Sequence, residues 1–296
     1  MSLDCISGKT ILGDIKNVAN QLPPDSVNML FLDPPYNLYK DFNGDSFSRK
    51  NIDEYSAYIE SWFPKLIPLL KKDAAVFFCA DWYSSVSVFL TISKYLKLQN
   101  RITWQREKGR GSKRNWKNSH EDIWFFTNGN SYKFYPERIK EKRKVIAPYR
   151  IDGKPKDWEE TEEGNFRLTY PSNLWTDLSV PYWSMSENTD HPTQKPEKLL
   201  AKLILATTDI NDLVFDPFLG SGTSSVVAKK LGRRYAGVEK DRYFACLAEK
   251  RLQMAENDKS IQGYFDGVFW ERNSLKFQKM SKTVLSEKDI INSRIL

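Results

Sequence analysis

The stretch LVFDPFLGSGTSSVVAKKLGRRYAGVEKD, residues 213–241, constrains the fold more than any other part of the chain. A short apolar run ends on an acid, a glycine turn follows, and an amphipathic segment leads to a second apolar run. A continuous apolar run suits a strand covered on both faces, which calls for a parallel sheet with helices packed on it. Gly220 and Gly222 let the backbone turn tightly and approach a ligand, and the helix beginning near Thr223 offers unpaired N–H groups to an anion. Glu239 ends the next strand, where a carboxylate can accept both hydroxyls of a ribose. Three readings are open for this loop alone: a nucleoside-type cofactor site, a dinucleotide site, or a plain strand-to-helix turn. The full G-x-G-x-x-G fingerprint needs glycine at 225, where the chain has Ser225, so the dinucleotide reading is the weaker of the two ligand readings.

The rest of the chain repeats the alternation. VNMLFLD and DAAVFFCAD read as buried strands, RITWQR and DIWFFTN as two more, with helices over IKNVANQL, NIDEYSAYIESWF and SSVSVFLTISKYL. Pro64 and Pro68 break or kink the second of these helices. PEKLLAKLILATT and RYFACLAEKRLQMAE are further helices. The expectation is an α/β fold, a doubly wound and mostly parallel sheet with helices on both faces. Residues 131–190 lack periodicity and carry dense charge, Pro and aromatics, as expected of an irregular inserted module. The boundaries read from this are 1–130 and 191–256 for two halves of a core, 131–190 for the insert, and 257–296 for an accessory tail starting with a small hairpin at GYFDGVFW.

The strand VNMLFL runs into Asp33-Pro34-Pro35-Tyr36. Two prolines fix φ and remove two N–H donors, leaving carbonyls as the main-chain polar groups. Asp33 adds a carboxylate and Tyr36 a flat face for stacking. A wall that only accepts hydrogen bonds suits an exocyclic amino group, which has two hydrogens to give. The bland alternative is a strand capped by a proline-rich turn.

Composition limits the function classes. The 296 residues are enough for a full hydrophobic core. Three cysteines, an odd number, and two histidines argue for a reducing, cytoplasmic setting without a disulfide framework or a His/Cys metal site. No apolar run reaches membrane-spanning length, and no membrane partner is expected. The net charge of +7 is concentrated: Arg101 to Lys117 holds seven basic side chains against one acid, with Trp104 and Trp116 interleaved, and Lys133 to Lys156 holds nine against three. Clustered Lys and Arg of this density favour a nucleic-acid partner over a merely solvated face. Arg106, Lys108, Arg110, Lys113, Arg114 and Lys117 are the candidate contacts.

DPPY at 33–36, HPTQKP at 191–196 and DPFLGSGT at 216–223, in that order, resemble the amino-group DNA methyltransferases of the β arrangement, and in particular the adenine-N6 enzymes of type II restriction–modification systems. ITWQREKGRG, HEDIWFFTNG and PSNLW add to the likeness, which covers the chain to about residue 256. The resemblance implies a Rossmann-like methyltransferase fold, S-adenosylmethionine as cofactor with S-adenosylhomocysteine as product, and double-stranded DNA as partner. It also implies a cognate endonuclease acting on the same sequence without a stable complex. Residue by residue, it implies that Asp33 and the Pro34 carbonyl accept the target amino hydrogens and that Tyr36 stacks on the extruded base. Phe218, Gly220, Ser221, Gly222 and Thr223 would line the methionine end of the cofactor, with Lys195 near its carboxylate, Glu239 on its ribose and Asp14 near its adenine. For Asp14 the alternative is a helix N-cap. Residues 131–190 fall where that family carries its target-recognition region. Cytosine-N4 methylation is the close rival, a noncatalytic DNA-binding protein on the same fold a reading of another class, and a nicotinamide oxidoreductase the third.

Overall fold

The computed structural model describes residues 3–37, 40–42, 45–47, 49–106, 113–145, 149–161 and 164–272. Eight strands form the main sheet: β1 (Lys9–Leu12), β2 (Val27–Leu32), β3 (Leu70–Ala80), β4 (Lys97–Gln105), β5 (His120–Thr127), β6 (Leu174–Trp175), β7 (Leu213–Asp216) and β8 (Arg234–Glu239). Their spatial order is β1-β8-β7-β2-β3-β5-β4-β6. All neighbours run parallel except β5, which is antiparallel to both β3 and β4. The main helices are α1 (Ile52–Glu60), α2 (Ser84–Ile92), α3 (Glu197–Thr207), α4 (Thr223–Lys230) and α5 (Arg242–Asn257).

Both faces of the sheet are covered, as its continuous apolar strands require. Along β3, Ala74, Val76, Phe78 and Ala80 join one buried cluster with Tyr55 and Ile59 of α1 and Val88 and Ile92 of α2. Ala75, Phe77 and Cys79, the alternate residues, join a second cluster with Leu199, Leu200 and Leu203 of α3. The period of two along a strand therefore divides one apolar run between two cores. Pro64 and Pro68 act as read from sequence: α1 ends at Glu60 and the chain continues as a 3-10 helix, Phe63–Leu69.

The 131–190 segment is more ordered than its composition indicates. Glu141–Lys144, Glu159–Thr161 and Gly164–Thr169 pair as antiparallel strands in a five-stranded sheet. The same sheet is completed from beyond residue 257: Val268–Trp270 pairs parallel with Glu141–Lys144, and Tyr264–Phe265 with Val268–Trp270. The hairpin expected there turns at Asp266 and Gly267, both at positive φ, the conformation that a two-residue Asp-Gly hairpin loop requires. This sheet spans the drawn boundaries, and β6 of the main sheet also comes from within 131–190. The reason for the misreading is that the strands are short and charged: Lys142, Arg143 and Lys144 are consecutive, so no apolar alternation marks them.

The topology gathers acids at one edge. The parallel strands β2, β3, β7 and β8 end at or just before Asp33, Asp81, Asp216 and Glu239, while antiparallel β5 begins there with His120 and Glu121. This is the carboxyl edge of the sheet, where doubly wound folds bind ligands.

Candidate active site

A cavity of about 580 Å³ opens at that edge, a size that suits a small organic ligand. Asp33, Pro34, Tyr36, Asp14, Lys195, Phe218, Gly220, Ser221, Thr223 and Glu239, all singled out from the sequence, line it together. Gly222 does not; it sits behind the wall at φ +80°, packed on Ala248 of α5.

One end of the cavity is the glycine loop. Gly220 is at φ +53°, and a side chain there would lie 2.8 Å from the His191 ring, so the loop and the HPTQKP turn are in direct apposition. Glu239 clamps the loop: its carboxylate accepts the Gly220 N–H at 2.6 Å and the Asp241 N–H at 2.8 Å. Gly13 N–H donates to the Glu239 carbonyl at 2.8 Å, which brings Asp14 to the same wall. Asp14 is also the N-cap expected as its alternative, accepting the Lys16 N–H at 2.9 Å. Asp216, which the sequence reading left without a role, is buried; burial pushes its carboxyl up to about 7, against hydrogen bonds from Ser224 and the Phe218 N–H. Burial also raises Glu239. Phe218 packs edge-on against Trp62, with ring centroids 4.9 Å apart, and gives this end an aromatic wall.

The loop is braced from behind. Arg251 of α5 donates to the Ser221 carbonyl and the Thr223 hydroxyl, both at 2.9 Å, and to Glu197 at 3.0 Å. The Glu197 N–H in turn donates to Glu187 at 2.7 Å. Burial, then the neighbouring Glu197, lifts the Glu187 carboxyl to about 7.

The other end is the Asp33-Pro34-Pro35-Tyr36 turn. The Tyr55 hydroxyl donates to the Pro35 carbonyl at 2.9 Å, whereas no donor among the described residues engages the Pro34 carbonyl. Tyr36 donates to Glu121 at 3.1 Å, and burial, reinforced by Asp33, holds its phenol well above the ordinary value. Lys195 donates to Asp33 at 2.6 Å and stands 3.6 Å from Glu121. It therefore meets Asp33, not the glycine loop beside which the sequence reading set it. Arg106 turns inward as well: it pairs with Glu121, lies 5.1 Å over the Trp104 ring and lines the cavity, where burial lowers its pKa. That corrects its reading as an outward DNA contact. Lys113 and Arg114 are exposed beside Trp116, which is 95% exposed; Lys117 is half-buried, and Lys108 and Arg110 lie outside the described residues.

Glu121 is the residue the sequence reading missed. Its signal was an acid at the head of the run DIWFFT, which places a carboxylate at the strand end facing the site.

Residues 27–250 match the family model N6_N4_Mtase, DNA methylase. The chain is similar to Type II methyltransferase M.HpaI of Haemophilus parainfluenzae, 31% identical over 281 residues, covering 94% of this chain and 82% of the relative. It is also similar to DNA adenine methyltransferase YhdJ of Escherichia coli (strain K12), 29% identical over 84% of each. Among solved structures, the M1.HpyAVI–SAM complex has a TM-score of 0.57 at 20% identity, covering 82% of this chain and 98% of that one. PvuII DNA methyltransferase (cytosine-N4-specific) has a TM-score of 0.61 at 18% identity, covering 85% and 90%.

Proposed function

Because the chain belongs to the N6_N4 DNA methylase family, we propose that its cavity methylates the N6 amino group of adenine in double-stranded DNA, with S-adenosylmethionine as donor. The observation that carries this reading is the acceptor wall of Asp33 and the Pro34 carbonyl in the same cavity as the glycine loop and Glu239. The relatives named as type II and adenine methyltransferases support the choice of base and a restriction–modification setting. A paired endonuclease would read the same sequence without a stable complex, and no described helix is long and apolar enough to cross a membrane, in keeping with a cytoplasmic enzyme.

The residues present fit the cofactor. The glycine loop carries left-handed φ at Gly220 and Gly222, where a side chain would clash, and the buried acids Glu239 and Asp216 stand where a ribose and a positively charged group would lie. Glu239 would hold the ribose, Asp14 the adenine end, and Phe218, Ser221 and Thr223 the methionine end. Bound there, the cofactor supplies an electrophilic methyl group on a sulfonium.

The chain's own residues do the rest. An aromatic amino nitrogen is a poor nucleophile because its lone pair is delocalised into the ring. Asp33 and the Pro34 carbonyl, each accepting one N–H, favour a pyramidal nitrogen with its lone pair aimed at the methyl group. The Asp33 carboxylate also stabilises the positive charge that develops on nitrogen until its proton leaves. Turning the base out of the duplex costs a few kcal/mol, and stacking on Tyr36 returns about 1–3 kcal/mol of it.

Expression in a methylation-free host, followed by single-molecule sequencing of its DNA, tests the reading. N6-methyladenine in one sequence context is expected, and its disappearance with Asp33→Ala. N4-methylcytosine would transfer the proposal to the rival base, and DNA binding with no modified base would mean a noncatalytic protein.

A further inference from the structure

The seat for the target base is taken in the free enzyme. Lys195 puts its ammonium 2.6 Å from Asp33 Oδ2 and 5.2 Å from the centroid of the Tyr36 ring. Those are the two groups that would receive the amino hydrogens and the face of an incoming base. The side chain is 6% exposed, so this is a packed position. The turn behind it is fixed: the Thr189 hydroxyl donates to Gln194 at 2.6 Å, Gln194 donates to the Glu187 carbonyl at 2.6 Å, and Pro196 caps α3 immediately after Lys195.

A second acid stands ready for the same ammonium. Glu121 Oε2 lies 3.6 Å from Lys195 Nζ and is held by the Tyr36 hydroxyl, while Oε1 is paired with Arg106. Glu121 is 4% exposed, and its lone pairs are not used up by two partners. A buried ammonium cannot be left without a counter-charge. Lys195 can therefore release Asp33 only by moving onto Glu121, and the distance it must close is about one bond length.

We propose that Lys195 is a positioning residue of the target-base end of the cavity: it holds Asp33 oriented until the target amino group displaces it onto Glu121. The inference rests on the methyl-transfer reading and deepens it. It reassigns Lys195 from the cofactor carboxylate to the reacting base, and it gives Glu121 and Arg106 a shared role, that of keeping a receiving charge in place.

The test uses the full chain and three variants, Lys195→Met, Glu121→Gln and the double variant, with thermal unfolding to check that each folds. S-adenosylhomocysteine affinity by calorimetry should stay within about twofold of wild type, while the single-turnover rate at saturating cofactor and DNA falls at least about tenfold in each single variant. The double variant should be no slower than the slower single one, because both substitutions break one transfer of charge. A loss of cofactor affinity in Lys195→Met with an unchanged saturated rate would return the residue to the cofactor carboxylate and overturn the inference. So would fully additive losses. Glu121→Gln is nearly isosteric and keeps the test decisive if Lys195→Met does not fold. A wild-type enzyme that transfers no methyl group would fail the parent reading instead, which separates the two outcomes.

Discussion

The Glu239 carboxylate ties two segments together, Gly220 through one oxygen at 2.6 Å and Asp241 through the other at 2.8 Å. It has lone pairs left for a ribose, so it shapes the loop and would bind the ligand at once. Glu239→Ala removes both effects and should raise the Kd for S-adenosylhomocysteine by roughly ten- to a hundredfold, the scale of a hydrogen bond to a charged group. Glu239→Gln keeps one acceptor and should fall between. Unchanged affinity in both, by calorimetry, would remove Glu239 from the cofactor site.

Gly222 acts by a different route. A Cβ there would lie 2.7 Å from Ala248 Cβ and 3.0 Å from Ala248 Cα, at φ +80°. The clash is partly with backbone, which cannot turn aside. Gly222→Ala should lower stability in urea by at least about 1–3 kcal/mol, the cost of one strained residue. Adding Ala248→Gly relieves the clash but not the φ, so part of the loss should return. Equal stability of Gly222→Ala and wild type would refute the packing role.

The core of the fold was legible because its strands are buried on both faces and stand out as apolar runs: VNMLFL, AAVFFCA and LVF each end on a residue of the cavity edge. The cavity itself was legible where a motif bends the backbone, at Asp33-Pro34-Pro35-Tyr36 and Gly220 to Thr223. What escaped was partnership between distant side chains. Lys195 and Asp33 are 162 residues apart, and nothing in HPTQKP tells which acid its lysine will meet. Arg106 was counted with a basic run because a run records density, whereas the turn inward to Glu121 is set by β4 and β5 pairing. The sheet of the insert escaped because half its strands come from a separate part of the chain.

Glu187 makes stability depend on pH. Its carboxyl moves from an ordinary value of 4.5 to about 7, through burial and then Glu197. The folded chain thus keeps a proton that the unfolded chain has already shed, so this group lowers stability as pH rises from 4.5 to about 7 and adds no further slope above it. Asp216, also at about 7, acts in the same direction. Glu187→Gln still accepts the Glu197 N–H but cannot ionise. Its stability relative to wild type should improve by on the order of 1–3 kcal/mol between pH 5 and pH 8. Parallel pH profiles in urea denaturation would show that Glu187 does not titrate in this range.

Arg106 and the exposed basic residues should separate in DNA binding. Lys113 and Arg114 face solvent. If they neutralise phosphates, alanine at each lowers affinity on all sequences and reduces the slope of log affinity against log salt by about 1. Arg106→Ala should leave that slope alone and slow methyl transfer, because its charge serves Glu121. Equal slopes in wild type and the Lys113 and Arg114 variants would mean that this run is only solvated surface.

Lys202 joins the core to the insert. Fully buried on α3, it donates to Glu141 at 2.6 Å and to Asp177 at 2.8 Å, and Lys198 completes the cluster at 2.6 Å from Asp177. Although burial disfavours its charge, Lys202 and Lys198 hold the Asp177 carboxyl at about 2. Lys202→Met leaves two buried acids short of a counter-charge, at a cost of about 3–5 kcal/mol. Asp177 contributes stability above its ordinary value of 3.8 that is lost as pH falls through about 2. Without Lys202 that loss should begin at higher pH. Lys202→Met combined with Asp177→Asn removes one charge of each sign and should recover part of the deficit. Urea denaturation at pH 7 and pH 4 measures both effects. A single variant as stable as wild type would show that the cluster does not hold Glu141, and with it the five-stranded sheet, against the catalytic core.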